Sequence, residues 1–197
     1  MASGSGDRTV RFWDITTQTP LFTCQGHDSS VLFVAWSPDG KYLVSGSESG
    51  ELIYWDPQTG KSLGNFMQAA RNIICTDYVL RTGAFDHTGK QFSSPEEMKK
   101  VALERYNKMR GSAPERLVSG SDDRTMYLWE PFNSSKPYKM HMTGHQQVIN
   151  HVCFSPDGQW MASASFDNSV KLWNGTTGKF VATFRHVQDV YQLRYAK

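Results

Sequence analysis

Four tryptophans recur along this chain, each closing a run of strand-forming residues. They end Val10-Arg11-Phe12-Trp13-Asp14, Leu52-Ile53-Tyr54-Trp55-Asp56, Met126-Tyr127-Leu128-Trp129-Glu130 and Val170-Lys171-Leu172-Trp173-Asn174. The intervals are 42, 74 and 44 residues. A unit of about 40–45 residues that closes on Trp-Asp is a four-stranded propeller blade. Such a sheet is apolar on both faces and must stack on copies of itself. The feature therefore predicts an all-β protein that presents surfaces rather than an enzyme fold.

Composition narrows the class without naming a function. Hydrophobic residues make up 39% of the chain and charged residues 20%, as in ordinary globular domains. No run of about 18 apolar residues is present, so no membrane-spanning helix is expected. Met1 to Asp7 has neither a basic nor an apolar region, and no secretory signal is expected. Cys24, Cys75 and Cys153 are odd in number and widely spaced, which fits free thiols in a reducing compartment. A net charge of +2 is too small to argue for nucleic acid by itself.

Residues 26–67 hold one complete repeat. Gly26-His27 opens it, and Val31 to Trp36 reads as a buried strand. Ser37-Pro38-Asp39-Gly40 is a turn, followed by strands at Lys41–Ser47, Glu51–Trp55 and Lys61–Met67. Residues 144–184 repeat the order from Gly144-His145 through Ser155-Pro156-Asp157-Gly158. Residues 1–25 supply three strands, and 68–143 a repeat stretched by an insertion at about 86–114. Residues 185–197 supply one first strand, Val190–Tyr195. The expectation is about four blade equivalents forming an open arc of a larger propeller, with one helical insertion.

In these motifs the chain resembles the WD-repeat β-propeller family over nearly its whole length. That resemblance implies a buried hydrogen-bond chain in each blade, built from the Gly-His histidine, a second-strand serine, a turn aspartate and the tryptophan indole. The last repeat carries all four, as His145, Ser163, Asp167 and Trp173. The stretched repeat has Ser119, Asp123 and Trp129 without the histidine. The first full repeat has His27, Ser45 and Trp55, with Ser49 in place of the aspartate. The N-terminal piece has Ser3, Asp7 and Trp13. A Ser-His-Asp set invites a catalytic reading. It recurs with the repeat and shares its serine with a tryptophan, so no catalytic residue is assigned. No Gly-x-Ser-x-Gly elbow accompanies it.

The insertion begins with Ser94-Pro95-Glu96-Glu97, a capping box with proline at the first helical position. Met98, Val101, Ala102, Arg105, Tyr106 and Met109 share one side, and Gly111 is a fitting stop, so a helix is expected over Pro95–Arg110. Its other side carries Lys99, Lys100, Lys108 and Arg110. These are candidates for contact with RNA or an acidic partner, but with no aromatic stacking platform RNA recognition is not specified. The phrases Thr76 to Phe85, Glu104 to Gly111 and Pro114 to Asp123 are similar to those of the Notchless family of WD-repeat proteins. That resemblance implies a nuclear or nucleolar scaffold in pre-ribosomal particles, otherwise a cytoplasmic protein. It also implies association with the midasin-type assembly ATPase and a link to Notch signalling. The family's N-terminal ubiquitin-like domain and some blades have no counterpart here. Asn65-Phe66-Met67 runs into Arg71-Asn72-Ile73 without the Gly-His that should intervene, so the chain reads as partial or internally deleted.

Other motifs are set aside. His141, His145 and His151 with Met140 and Met142 could suggest a metal, but they fall on strands of different direction, and no metal or cofactor is expected. Asn133-Ser134-Ser135 and Asn174-Gly175-Thr176 match a glycosylation acceptor without a secretory route. The leading function is a non-catalytic protein scaffold of large ribosomal subunit assembly. The alternatives are a generic WD-repeat adaptor in signalling or ubiquitin ligation, or a nonfunctional truncated product. Partner contacts are expected on the face with the Gly-His loops, at Asp28, Ser29, Gln146, Gln147, Arg124 and Phe166.

Overall fold

The computed structural model describes residues 1–66, 73–78, 93–110, 114–131 and 138–193. The first sheet is β1 (Ala2–Gly4), β2 (Thr9–Asp14) and β3 (Thr19–Gln25). The second is β4 (Val31–Trp36), β5 (Leu43–Ser47), β6 (Leu52–Trp55) and β7 (Ser62–Phe66). The third is β8 (Ile73–Tyr78), β9 (Leu117–Ser121), β10 (Met126–Trp129) and β11 (Tyr138–Met142). The fourth is β12 (Ile149–Phe154), β13 (Trp160–Ser165), β14 (Ser169–Asn174) and β15 (Phe180–Arg185). Each sheet is an antiparallel meander in chain order. These are the propeller blades that the tryptophan period implies.

Strand alternation places successive side chains on opposite faces, and three interfaces result. Val10, Phe12 and Cys24 of the first sheet meet Val31, Leu43, Ile53 and Trp55 of the second. Val44, Leu52 and Tyr54 on the second sheet's other face meet Leu117 and Trp129 of the third. Val118, Met126, Leu128 and Met142 then meet Ile149, Val152, Phe154, Met161 and Trp173 of the fourth. Each sheet thus offers its tryptophan face to the sheet before it. Among the described residues β1 packs on β4, β4 on β8 and β8 on β12, whereas β12 makes no comparable contact with β1. Among the described residues the four sheets follow one another in an open arc. Gly4 shows how closely they approach: a Cβ there would lie 2.5 Å from a methyl carbon of Val31.

The repeated turns have a common chemistry. In Ser37-Pro38-Asp39-Gly40 the Ser37 hydroxyl and the Lys41 N–H both donate to Asp39 Oδ1, at 2.8 and 3.1 Å. Ser155, Asp157 and Gln159 do the same in the fourth sheet, at 2.6 and 3.0 Å. Asn174 Oδ1 accepts from the Thr176 and Thr177 N–H groups, filling the place of Asp56 as a turn acceptor. All four tryptophans sit at a register shift between the last two strands of their sheets. Such a bulge re-aims the side chain locally.

Two expectations meet the structure differently. The helix α1 spans Pro95–Arg110, as its sequence signals indicate. Ser94 Oγ accepts the Glu97 N–H at 3.2 Å, while the Glu97 carboxylate reaches back to Ser93 rather than to the cap residue. Among the described residues α1 makes no extensive contact with any strand, and Met98 remains exposed. The strand expected at Val190–Tyr195 is corrected: residues 190–193 are not a strand, and 194–195 lie outside the described residues. The alternating pattern is real, but a strand needs a partner. Val190 is instead held by the Ser165 carbonyl, 3.3 Å from its N–H, and by the Asn150 amide, which donates to its carbonyl at 3.0 Å. The junction at 67–72 and the phrase Val79 to Phe85 also lie outside the described residues.

Candidate functional site

The polar chains inside the blades differ in composition. In the fourth sheet Ser163 Oγ accepts the Trp173 indole N–H at 2.9 Å and lies 2.7 Å from His145 Nε2. His145 Nδ1 lies 2.8 Å from Asp167 Oδ2, which also accepts the Gln146 N–H at 2.9 Å. Asp167 Oδ1 takes the Ser169 hydroxyl at 2.5 Å and its N–H at 3.0 Å. Every member is therefore engaged, as burial demands. Ser163 is 0% exposed. Its oxygen cannot meet a substrate, so this Asp-His-Ser order does not make a nucleophile.

The second sheet builds the same chain from other residues. Ser45 Oγ accepts the Trp55 indole N–H at 2.7 Å and lies 2.6 Å from His27 Nε2. Ser49, where the aspartate is missing, bonds to Ser47 and to Ser29 instead. Glu51 brings the carboxylate near: its Oε2 accepts the Asp28 N–H at 3.3 Å and lies 3.4 Å from His27 Nδ1, an ion-pair distance without hydrogen-bond geometry. Glu51 is the acid that the motif reading missed, because its longer side chain reaches the histidine from two residues further along the chain.

Without a histidine the aspartate turns elsewhere. In the third sheet Trp129 donates to Ser119 at 2.9 Å, and Asp123 accepts from the Thr125 N–H and hydroxyl. In the first sheet Trp13 donates to Ser3 at 2.8 Å, while Asp7 takes Thr9 and, at 2.8 Å, the Arg11 guanidinium. The residue five after each serine adopts positive φ in all four sheets, as Arg8, Gly50, Arg124 and Asn168. Arg124 is thereby turned outward and exposed.

Electrostatics follow burial. Burial pushes the His145 pKa below its usual 6.5 despite the Asp167 carboxylate beside it. Burial likewise lowers that of His27 against the pull of Glu51 and Asp28. For Asp167 burial works upward, but the Ser169 hydroxyl, the Gln146 N–H and His145 outweigh it and hold the carboxyl at about 2. A histidine whose folded pKa is depressed takes up its proton at lower pH than the unfolded chain does. Stability is then lost as pH falls below about 6.5, until the folded group also titrates. The Asp167 contribution stays in place throughout that window, since it is lost only as pH falls from 3.8 toward 2. The thermal midpoint is expected to drop between pH 7.5 and 5, with a shallower drop in His145→Gln. A midpoint flat across that range would contradict neutral buried histidines.

Gln146, Gln147 and Phe166 come together beside Asp167 at the rim of the fourth sheet, where with Lys171 and Arg185 they line a cavity of about 350 Å³. Asp28 is exposed and Ser29 half-buried on the second sheet, and neither lines this cavity. Lys99, Lys100 and Lys108 are exposed on α1; of Arg110 only the backbone is described. His141 stacks on Tyr127 with ring centroids 4.5 Å apart, away from the His145 chain. Among the described residues no three His, Cys, Asp or Glu side chains gather as metal ligands.

Comparison with known proteins places these blades in context. The family described as "WD domain, G-beta repeat" matches residues 1–14, 18–56 and 136–174. Ribosome assembly protein 4 of Saccharomyces cerevisiae is 35% identical over 283 residues, taking in 93% of this chain and 55% of the relative. A Notchless protein homolog of Arabidopsis thaliana is 44% identical over 278 residues, 94% of this chain and 58% of its own length. Protein Notchless of Drosophila melanogaster is 37% identical over 166 residues, 80% of this chain and 33% of its own. The chain spans little more than half the length of the first two relatives.

Proposed function

We propose, from the premise that this chain belongs to the WD-repeat family, that it is a non-catalytic protein-interaction scaffold of large ribosomal subunit assembly. The observation that carries this reading is the match to the yeast ribosome assembly protein, which extends across 93% of the chain rather than one repeat. The buried serines Ser45 and Ser163, each held by a tryptophan and a histidine, support a structural rather than a catalytic use of the Ser-His-Asp set. Binding would use the rim with the Gly-His loops, where Gln146, Gln147 and Phe166 converge. The partners would be pre-ribosomal particle proteins, with a midasin-type ATPase among them, and the place of action the nucleus and nucleolus.

An internal gap fits the same reading. The alignment to the yeast relative runs over 283 residues although it takes in only 93% of a 197-residue chain. About 100 positions of the relative therefore have no counterpart within the aligned stretch, the length of about two repeats. We read the junction at 67–72, where the Gly-His is missing, as the place of that gap. Sheets two and three would then be neighbours only in this shorter chain.

Affinity capture with the tagged 197-residue chain tests the role. Recovery of large-subunit assembly factors and cosedimentation with pre-ribosomal particles is the expected result. If a full-length relative recovers those factors and this chain recovers none, the chain has lost the role.

A further inference from the structure

The rim cavity of the fourth sheet has a charge that the blade itself does not use. The position two residues before each tryptophan is occupied differently in each sheet. The second-strand serines Ser45, Ser119 and Ser163 stand opposite Ile53, Tyr127 and Lys171, and Ser3 stands opposite Arg11. Ile53 is fully buried and Tyr127 stacks on His141, so those two sheets seal the position with apolar contact. Arg11 is neutralised by Asp7 at 2.8 Å. In the fourth sheet the corresponding acid, Asp167, is taken by His145 at 2.8 Å. Lys171 is left with the Thr183 hydroxyl, to which it donates at 2.9 Å, and with the Phe180 ring, 5.4 Å from its Nζ. Among the described residues it has no carboxylate within 4 Å.

A second cation stands beside it. Arg185 is exposed, lines the same cavity, and likewise has no ion pair among the described residues. The side-chain amides of Gln147 and Asn168 also line it without a protein partner among those residues. Asp167, the acid present, has both oxygens filled by its own neighbours. The two charged groups left in the cavity are both pure donors, and each amide adds a donor beside its acceptor oxygen.

We propose that this cavity binds the carboxylate of an acidic peptide segment of a partner protein. The inference rests on the scaffold reading above and specifies the chemistry of its contact. A guanidinium offers a carboxylate two parallel hydrogen bonds, and the ammonium adds a point charge. A cavity of about 350 Å³ accommodates one or two side chains, with Phe166 as its aromatic wall. Two cations make a poor track for a polyanion, because nucleic-acid affinity grows with the number of phosphates neutralised.

Fluorescence anisotropy with labelled peptides tests the site on the full 197-residue chain. The probes are a decapeptide rich in Asp and Glu, its Asn and Gln counterpart, and an oligouridylate. The acidic peptide is expected to bind best. Arg185→Glu and Lys171→Met should each weaken it about tenfold or more, the scale of a lost charged hydrogen bond, while Lys99→Glu on α1 leaves it unchanged. Arg185 is exposed, so its variant should keep the parent's melting temperature and remain informative if Lys171→Met does not fold. Equal binding of the amide peptide, indifference to both substitutions, or tighter binding of the oligouridylate would each overturn the proposal. If the acidic peptide fails while the parent chain still recovers pre-ribosomal proteins, the cavity inference falls and the scaffold reading stands. If neither is recovered, both fall.

Discussion

Ser163→Ala is expected to destabilise the chain by about 4 kcal/mol, because one hydroxyl satisfies two buried nitrogens and each orphaned group costs about 1–3 kcal/mol. Trp173 Nε1 and His145 Nε2 both converge on it, at 2.9 and 2.7 Å. Neither can turn to water, since the tryptophan is held among Met161, Val152 and Phe154 and the histidine by Asp167. Ser45→Ala should be as costly, because Trp55 and His27 share that oxygen in the same way. Ser119→Ala breaks a single tryptophan bond, and Ser3→Ala breaks one that is only half-buried, so both should cost less. Urea unfolding followed by circular dichroism would rank the four. If Ser119→Ala costs as much as Ser163→Ala, the histidine contributes nothing to the chain of bonds.

The ranking also marks what could be read without coordinates. The tryptophan period, the Ser-Pro-Asp-Gly turns and the helix caps are local signals, and each produced the element it implies. Interface partners followed from alternation: Leu43 and Val44 are adjacent in sequence and serve different sheets. Substitution within a motif was less legible. Ser49 stands where an aspartate should, and the acid arrives from Glu51, a position that no spacing rule marks. The rim cavity was half visible. Gln146, Gln147 and Phe166, expected on one face from loop position, do gather at the cavity, whereas Lys171 and Arg185 read as the polar members of ordinary strands. Lys171 stands without a carboxylate because His145 has claimed the acid that Arg11 keeps in the first sheet. Val190–Tyr195 failed for a related reason. Alternation describes one strand, whereas pairing is a relation between two segments.

Trp55→Ala is the substitution expected to do most harm, about 4–6 kcal/mol, from lost packing of a large aromatic and loss of its buried hydrogen bond. Trp55 is 1% exposed and fills the space between the first two sheets with Val10, Phe12, Leu43 and Ile53. The backbone beside it is shaped to fit, for a Cβ on Gly26 would lie 3.2 Å from its Cη2 atom. A domain of ordinary stability, about 5–15 kcal/mol, would be left marginal at best. Trp55→Phe keeps much of the packing and removes the N–H, and should fall between the parent and the alanine variant. Trp13 occupies the same register place in the first sheet, donates to Ser3, and yet is only half-buried, because no sheet packs on that face among the described residues. Trp13→Ala should therefore cost about 1–2 kcal/mol, the value of partial apolar burial. The contrast measures whether the arc is open in solution. Were Trp13→Ala as damaging as Trp55→Ala, something would have to cover the first sheet's outer face, and the open arc would be wrong.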